Sequence, residues 1–460
     1  MRPKHGFPSS NCLRLGQSKS ALAISGIFLY LTFVLFFTKS HWPVSEFFSP
    51  LQQIFAPSQT NPPPHDSSPT NISHLVFGLG GSLKLWRHRK AYIESWWRPT
   101  VTRGYLSLDT TPTEEFLPWS AASPPFRVSD DISKIVEESS HVAPVPARML
   151  HAILEVYREG DQGVRWYVMG DDDSIFFVDN WVNVLAKYDH TKYIYIGGHS
   201  ETLWTNVKYS FDQGFGGGGF ALSYPLVSAM MASVKFSQEK PKADITQLFV
   251  EWMQIDLKGD ISGFLSSHPQ APLLSLHHLD KVAPIFPSMD RLKSLNHLMK
   301  SAKMDQSRLL QQTICYHKPT NWSFSVSWGY SAHIYEKVLP RSILKRPLET
   351  FRPWGMRTPP FYMFNTRQLP FKDPCSAPHV FFVKSVDNIG RNQIVSTFVR
   401  RSPRGLPTCS FSGNHSADYI SMIRVLSPAT KLIRVINVVL KFLFYLRKLC
   451  SANELVYTQF

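Results

Sequence analysis

Hydrophobic and polar positions alternate in a readable order from His74 onward. The segment HLVFGLGGSLKLWRHRKAYIESWW reads as a buried strand, a glycine turn and then a basic amphipathic helix. A helical stretch follows from Ala143 to Glu159 and stops near Gly160, and Val164–Met169 is a short apolar run with the character of a buried strand. Asp179 stands where an N-cap would start a helix over Asn180–Lys187, and Lys192-Tyr-Ile-Tyr-Ile reads as another short strand. Strand, helix and strand in alternation predict an α/β/α sandwich with a mostly parallel central sheet. Ligands in such sheets bind outside the carboxyl ends of the strands. Farther on, Trp322-Ser-Phe-Ser-Val-Ser-Trp328 alternates strictly. It predicts a half-buried strand with Trp322, Phe324, Val326 and Trp328 on one face, a sugar-stacking platform being the functional alternative.

The two ends of the chain read differently. Residues Ala21 to Phe37 form an uncharged apolar run, and a helix of that length spans about 25 Å. Arg2, Lys4, Arg14 and Lys19 precede the run and only Lys39 follows before Lys84. The positive-inside rule then predicts a signal anchor with a cytosolic N-terminus and everything beyond it lumenal. From His41 to about Thr70 the chain is rich in Pro, Ser, Gln and Asn, a composition that builds a stem rather than a core. Asn71, Asn321 and Asn414 each open a glycosylation sequon on the lumenal side. Of five cysteines, Cys315, Cys375, Cys409 and Cys450 could supply one or two bridges, Cys375–Cys409 being the preferred pair, and none has the spacing of a zinc site. Near the end, LIRVINVVLKFLFYLRK is interrupted by Arg434 and Lys441 and reads as an interfacial helix rather than a second span.

At 43% hydrophobic residues the 460-residue chain has ample material for a core. Its formal charge of +15 is concentrated late: between Lys384 and Lys448 eleven Lys or Arg face two acids, a local +9. No helix-turn-helix, zinc or RNP pattern accompanies that charge, so nucleic acid is not the expected partner.

The chemistry gathers at RWYVMGDDDSIFFVD, residues 165–179. Asp171, Asp172 and Asp173 repel one another and are costly to desolvate unless a cation offsets them. Hydrophobic flanks on both sides argue against an acidic surface turn. Hard divalent ions such as Mg²⁺ and Mn²⁺ take carboxylates together with substrate phosphates, so the triplet predicts a metal holding a phosphorylated donor. Gly78, Gly80 and Gly81 match neither a dinucleotide nor a P-loop pattern; the turn is either structural or faces a nucleoside. Phe215-Gly-Gly-Gly-Gly-Phe220 permits close backbone approach to a substrate. The histidine pair in Leu274-Ser-Leu-His-His-Leu-Asp280 is structural by default, and a metal site short of ligands raises its standing.

These motifs, with SHLVFG, WWRP, FFVDN, KYDH, YIGG, SGFLSSHP, QQTICY, SVSWGY and FNTR in order over two thirds of the chain, resemble the Fringe-type glycosyltransferases. The similarity is greatest to the plant Fringe-related group long described as a domain of unknown function. The resemblance implies a type II Golgi membrane enzyme of GT-A fold, with Mn²⁺ and a UDP-sugar donor, that transfers a hexose with inversion to a glycan or glycoprotein acceptor in a β-1,3 linkage. It divides the chain into a cytosolic tail (1–20), an anchor in the membrane (21–38), a stem (39–72), a catalytic domain (73–345), an extension (346–425) and a basic apolar tail (426–460). By position it makes Asp173, Asp171 and His277 metal ligands, His278 being the less favoured histidine. Asp171 and Asp172 would contact metal or donor, Gly216, Gly217, Gly218 and Gly219 would line the donor sugar, and Gly78 to Ser82 the uridine.

One departure bears on activity. Relatives carry a YGSD-like motif after the segment matching FALSYPLV, and its Asp is the expected base; here SAMMASVKFSQEKPKADITQLFVEWMQIDLKGD holds none. Asp244 is the nearest candidate and Glu251 a weaker one. The alternative function is therefore a donor-binding pseudoenzyme or assembly partner without the base.

Overall fold

The computed structural model describes residues 68–133, 144–212, 214–235, 246–249, 256–267, 271–355, 358–370, 372–390, 393–400, 402–409, 416–429 and 455–459. The run 21–38, the stem up to residue 67, Asp244, Glu251, Asn414, Cys450 and the segment 430–454 lie outside these. Among the described residues no helix is long and apolar enough to cross a membrane. The chain divides into residues 1–58 with 231–241, and residues 59–230 with 242–460. All that follows concerns the second unit, apart from the end of one helix.

That unit contains a seven-stranded mixed sheet: β1 (Leu75–Gly81), β2 (Arg103–Leu108), β3 (Phe126–Val128), β4 (Trp166–Asp171), β6 (Ile194–Gly197), β7 (Phe220–Ser223) and β8 (Thr246–Phe249), in the order β3-β2-β1-β4-β7-β6-β8. Its pairs are parallel except where β7 runs against β4 and β6. Mixed α/β architecture with a parallel-containing sheet is compatible with the expected GT-A-like fold. Helices α1 (Leu83–Glu94), α2 (Pro144–Arg158), α3 (Val178–Leu185), α4 (Leu203–Lys208) and α5 (Tyr224–Lys235) alternate with the strands.

The alternating sides of β1 explain its composition. Phe77 points to one face, against Trp96 and Phe176 with ring centroids 5.5 and 5.7 Å away. Gly78 faces the other side, where a Cβ would meet Met169 Sδ at 2.7 Å and Val156 Cγ2 of α2 at 2.9 Å. The glycines read as a turn are thus strand residues as far as Gly81, and Ser82 is the N-cap position of α1. Close packing of α2 on the sheet, not a loop, requires glycine at 78.

Other expectations are also corrected. Helix α3 begins at Val178 with Phe177 at its cap position, and Asp179 lies in its first turn with both oxygens on the Arg98 guanidinium at 2.8 and 2.9 Å. A larger revision concerns the second half of the chain. Strands β11 (Gln312–His317), β12 (Trp322–Ser327), β13 (Ser331–Tyr335), β15 (His379–Asn388), β16 (Gln393–Arg400), β17 (Met422–Pro428) and β18 (Leu455–Gln459) build an all-antiparallel sheet absent from the sequence reading. Strand β12 is buried on both faces rather than one. Its serines tolerate this because each hydroxyl is bonded: Ser323 donates to Lys337 O, Ser325 accepts from Gln312 Nε2, and Ser327 donates to Leu265 O. Trp322 and Trp328 are core residues and present no platform. A disulfide joins Cys375 and Cys409.

Between β3 and α2 a polar network fastens the sheet edge. Ser129 Oγ and the Asp130 amide donate to Glu155 Oε1 at 2.7 and 2.9 Å, and His151 Nε2 lies 3.2 Å from both Asp130 and Glu155. Burial alone would raise Glu155, but His151, Ser129 and the Asp130 amide outweigh it and hold the carboxyl at about 2 against its ordinary 4.5. A depressed carboxyl contributes stability that is fully present above pH 4.5 and lost as pH falls toward 2. The contribution is about 3 kcal/mol. We expect Glu155→Gln to flatten the acid limb of a melting-temperature profile over that window; a wild-type acid limb in the variant would contradict the assignment.

Candidate functional site

Strand β4 ends at Asp171, and the chain turns through Asp172 and Asp173 into β5 (Ile175–Phe176). The turn is fixed locally: Ser174 Oγ accepts from the Asp171 amide at 2.8 Å and donates to Gly217 O at 2.6 Å. Strand β5 pairs antiparallel with β10 (Ser275–Leu276), bringing His277 to the aspartates. Ser275 Oγ donates to Gly218 O, so the aspartate turn, the histidine strand and the glycine run are tied to one another.

Three aspartates adjacent in sequence have three different environments. Asp171 keeps 30% of its side chain exposed, its Oδ2 3.9 Å from His277 Nε2. Burial pushes its carboxyl up to about 6, with His277 pulling the other way. Asp172 is 2% exposed, and it accepts from Arg89 at 2.5 Å and from the Ser82 amide at 3.2 Å. Asp173 is 1% exposed, with Oδ1 3.1 Å from His277 Nε2 and Oδ2 2.8 Å from Arg89 Nη2. Burial would raise it, yet His277 and Arg89 hold it well below the usual carboxylate range. Burial would lower His277, and the carboxylates of Asp173 and Asp171 raise it instead.

Arg89 is the residue sequence reasoning missed. It projects from α1 into the site, touches Asp172 and Asp173, and lies 3.2 Å from Asp280. Burial would lower its pKa, and the carboxylates of Asp173 and Asp172 raise it instead. Part of the positive charge that the triplet demands thus comes from the protein itself. No periodicity in WRHRK says which basic residue turns inward.

The histidine pair is equally specific in its geometry. Successive strand residues normally point to opposite faces, but His278 has φ +59° and its ring lies against that of His277, centroids 3.7 Å apart. Burial and the neighbouring imidazole pull His278 down to about 4, leaving it neutral near pH 7. Asp173, His277 and His278 present ligand atoms that lie within 4.8 Å of one another. Nδ1 of His278 is buried without a hydrogen-bond partner, whereas both oxygens of Asp173 are met within the chain, by His277 and Arg89. A buried carboxylate beside a neutral, unpartnered imidazole nitrogen is a ligand pair that fits a divalent ion such as Mn²⁺. A second group, Asp130, His151 and Glu155, sits in the α2 network, where Arg158 Nη1 already reaches Asp130 at 2.8 Å.

The glycine run is drawn to the cluster as well. A Cβ on Gly217 would meet His277 Nε2 at 2.6 Å and Asp171 Oδ2 at 2.9 Å, and Gly219 has φ +93°. Gly217→Ala is therefore expected to push His277 off Asp173 while the fold survives. Loss of the His277–Asp173 coupling, read as a fall in the His277 pKa by NMR titration, would show it; an unchanged titration would refute the contact. Gly216 packs instead on Met149, and Gly218 is buried. Gly78 lies beneath Met169 and Val156, away from the cluster, and Ser82 meets it only through its amide on Asp172. Of the sequon residues, Asn71 and Asn321 are both exposed.

Comparison with known families agrees with the region so described. A Fringe-like family model matches residues 132–330, and a model described as a protein of unknown function, DUF604, matches residues 248–436. No curated protein matches the chain.

Proposed function

Taking the chain as a Fringe-related protein, a family match that implies a glycosyltransferase, we propose that it is a Mn²⁺-dependent, inverting hexosyltransferase. It uses a UDP-sugar donor and a glycan or glycoprotein acceptor, forms a β-1,3 linkage, and works in the Golgi lumen behind an anchor at residues 21–38. The observation that carries this reading is the convergence of Asp171, Asp173, His277, His278 and Gly217 at the carboxyl end of β4.

In this reading Asp173 and His277 hold the ion, with Asp171 at the open side and His278 as the further nitrogen. Mn²⁺ supplies Lewis acidity toward the departing diphosphate. The residues of the chain do the rest. Arg89 keeps Asp173 ionised and fixes its carboxylate, and Asp172 anchors α1 through the Ser82 amide. The backbone at Gly217 offers the donor sugar a wall without a side chain. A carboxylate base must accept the acceptor hydroxyl proton, and Asp244 remains the candidate.

A second reading, a donor-binding protein without transfer, is favoured by Arg89, which offsets Asp172 and Asp173 within the chain itself. UDP calorimetry and UDP-sugar hydrolysis with Mn²⁺ separate the two. Binding with hydrolysis supports the transferase; binding without hydrolysis supports the second reading; no Mn²⁺-dependent binding defeats both.

A further inference from the structure

We propose that Trp204 and Trp354 form a sugar-stacking platform for the acceptor, beside the Asp173, His277 and His278 cluster; this rests on the transferase reading above. Among the described residues seven of the ten tryptophans are buried, whereas Trp204 is 46% and Trp354 44% exposed. Two half-exposed indoles at one place need an explanation, because tryptophan ordinarily contributes its area to a core.

Their location supplies it. Trp354 follows β14 (Phe351–Pro353), which pairs with β9 (Leu257–Gly259). Its ring is stacked toward His278 at 26°, with centroids 6.1 Å apart. Trp204 lies on α4 with Cδ1 and Nε1 3.8 and 3.9 Å from where a Gly355 Cβ would stand, and Gly355 has φ +86°. The two indoles therefore flank one glycine, and Trp354 adjoins the candidate metal ligands.

The platform is built rather than incidental. Asp256, immediately before β9 and 7% exposed, accepts from Ser200 Oγ at 2.8 Å, Thr202 Oγ1 at 2.9 Å and Thr205 Oγ1. These three hydroxyls fix the entry to α4 and hence the position of Trp204. Backbone bonds from Leu203 N to Phe361 O and from Met363 N to Glu201 O staple α4 to the following segment. A rigid aromatic side chain with few rotatable bonds presents area at low entropic cost. An exposed indole face takes the apolar C–H face of a pyranose, and the sugar hydroxyls stay free for polar partners. Placed next to the cluster, such a face would orient an acceptor hydroxyl toward a donor held at Asp173.

The test compares the whole chain with Trp354→Ala, Trp204→Ala and the corresponding phenylalanine variants. The probes are neutral p-nitrophenyl β-glycosides, with whichever of UDP-galactose, UDP-glucose and UDP-N-acetylglucosamine the wild type hydrolyses fastest. Each alanine variant should raise acceptor KM by about tenfold. In Trp204→Ala, where the ring lost is not the one against His278, donor KM and hydrolysis without acceptor should stay unchanged, and phenylalanine at either position should recover most of the acceptor loss. Unchanged acceptor KM, or donor and acceptor KM rising together in Trp204→Ala, would overturn the platform. Tryptophan fluorescence titration with the same glycosides reads it without turnover. Absence of saturable quenching while Mn²⁺-dependent UDP binding is intact would overturn the proposal. Quenching that is lost in both alanine variants would uphold the platform even where UDP binding is missing, and the transferase reading would then be the one to fall.

Discussion

On the proposed transferase function, Asp173→Asn is expected to remove Mn²⁺-dependent UDP binding. Losing a group that merely orients a metal ligand costs about 10–100-fold in metal affinity, and losing the ligand itself costs more. Asparagine keeps the shape of the side chain but surrenders the charge that faces both His277 and Arg89. Arg89 retains Asp172 and Asp280, so the fold should persist and the melting temperature should fall only modestly. Calorimetry of UDP with and without Mn²⁺ measures the effect. Mn²⁺-dependent affinity within about threefold of wild type would remove Asp173 from the site.

The second large effect is expected at Arg89. Arg89→Met leaves Asp172, Asp173 and Asp280 with no guanidinium between them, three carboxylates of which two are almost wholly buried. Removing one partner of a buried ion pair costs about 3–5 kcal/mol, because the remaining charge is stranded in a poorly solvated place. With the unfolding entropy of a domain this large, that is a fall of about 5 °C in melting temperature. Mn²⁺ should then stabilise the variant more than the wild type, since an ion that binds only the folded chain offsets the stranded charge by mass action. Thermal melts across an Mn²⁺ series read both effects. A variant that melts with the wild type, or that gains nothing extra from Mn²⁺, would show that Arg89 is not the counter-charge.

These two residues also mark how far the sequence could be read. The aspartate triplet was conspicuous because hydrophobic residues frame it, and buried flanks force adjacent carboxylates inward. The histidines and the glycine run could be singled out for similar reasons, since each departs from what its surroundings would otherwise hold. Arg89 sits among Arg87, His88 and Lys90, and only docking of α1 beside β4 decides that it, rather than they, faces the acids. The antiparallel sheet from Gln312 to Gln459 was legible only at Trp322–Trp328, where alternation is strict. Even there the serines hid the burial of the second face, because a bonded hydroxyl in a core looks the same in sequence as a solvated one. The glycines at 78, 80 and 81 resembled a turn for a related reason. Composition records that a side chain is missing, and only tertiary packing says what occupies its space, Met169 and Val156 at Gly78 and Leu106 at Gly81.

The sequence by itself determined that acids, imidazoles and glycines are present in segments that must be buried, and that a cation is needed near them. It also determined the α/β character, because apolar periodicity is a local property. The tertiary structure decided which partners those groups meet. It turned His278 to the same side as His277 through a positive φ, gave Asp172 to Arg89 and the Ser82 amide, and left Trp204 and Trp354 half exposed on either side of Gly355, with Trp354 against His278. Such pairings join residues as much as 191 positions apart, as Arg89 and Asp280 are, and nothing in a local pattern encodes them. They depend on how helices and strands pack, and packing is a property of the whole chain.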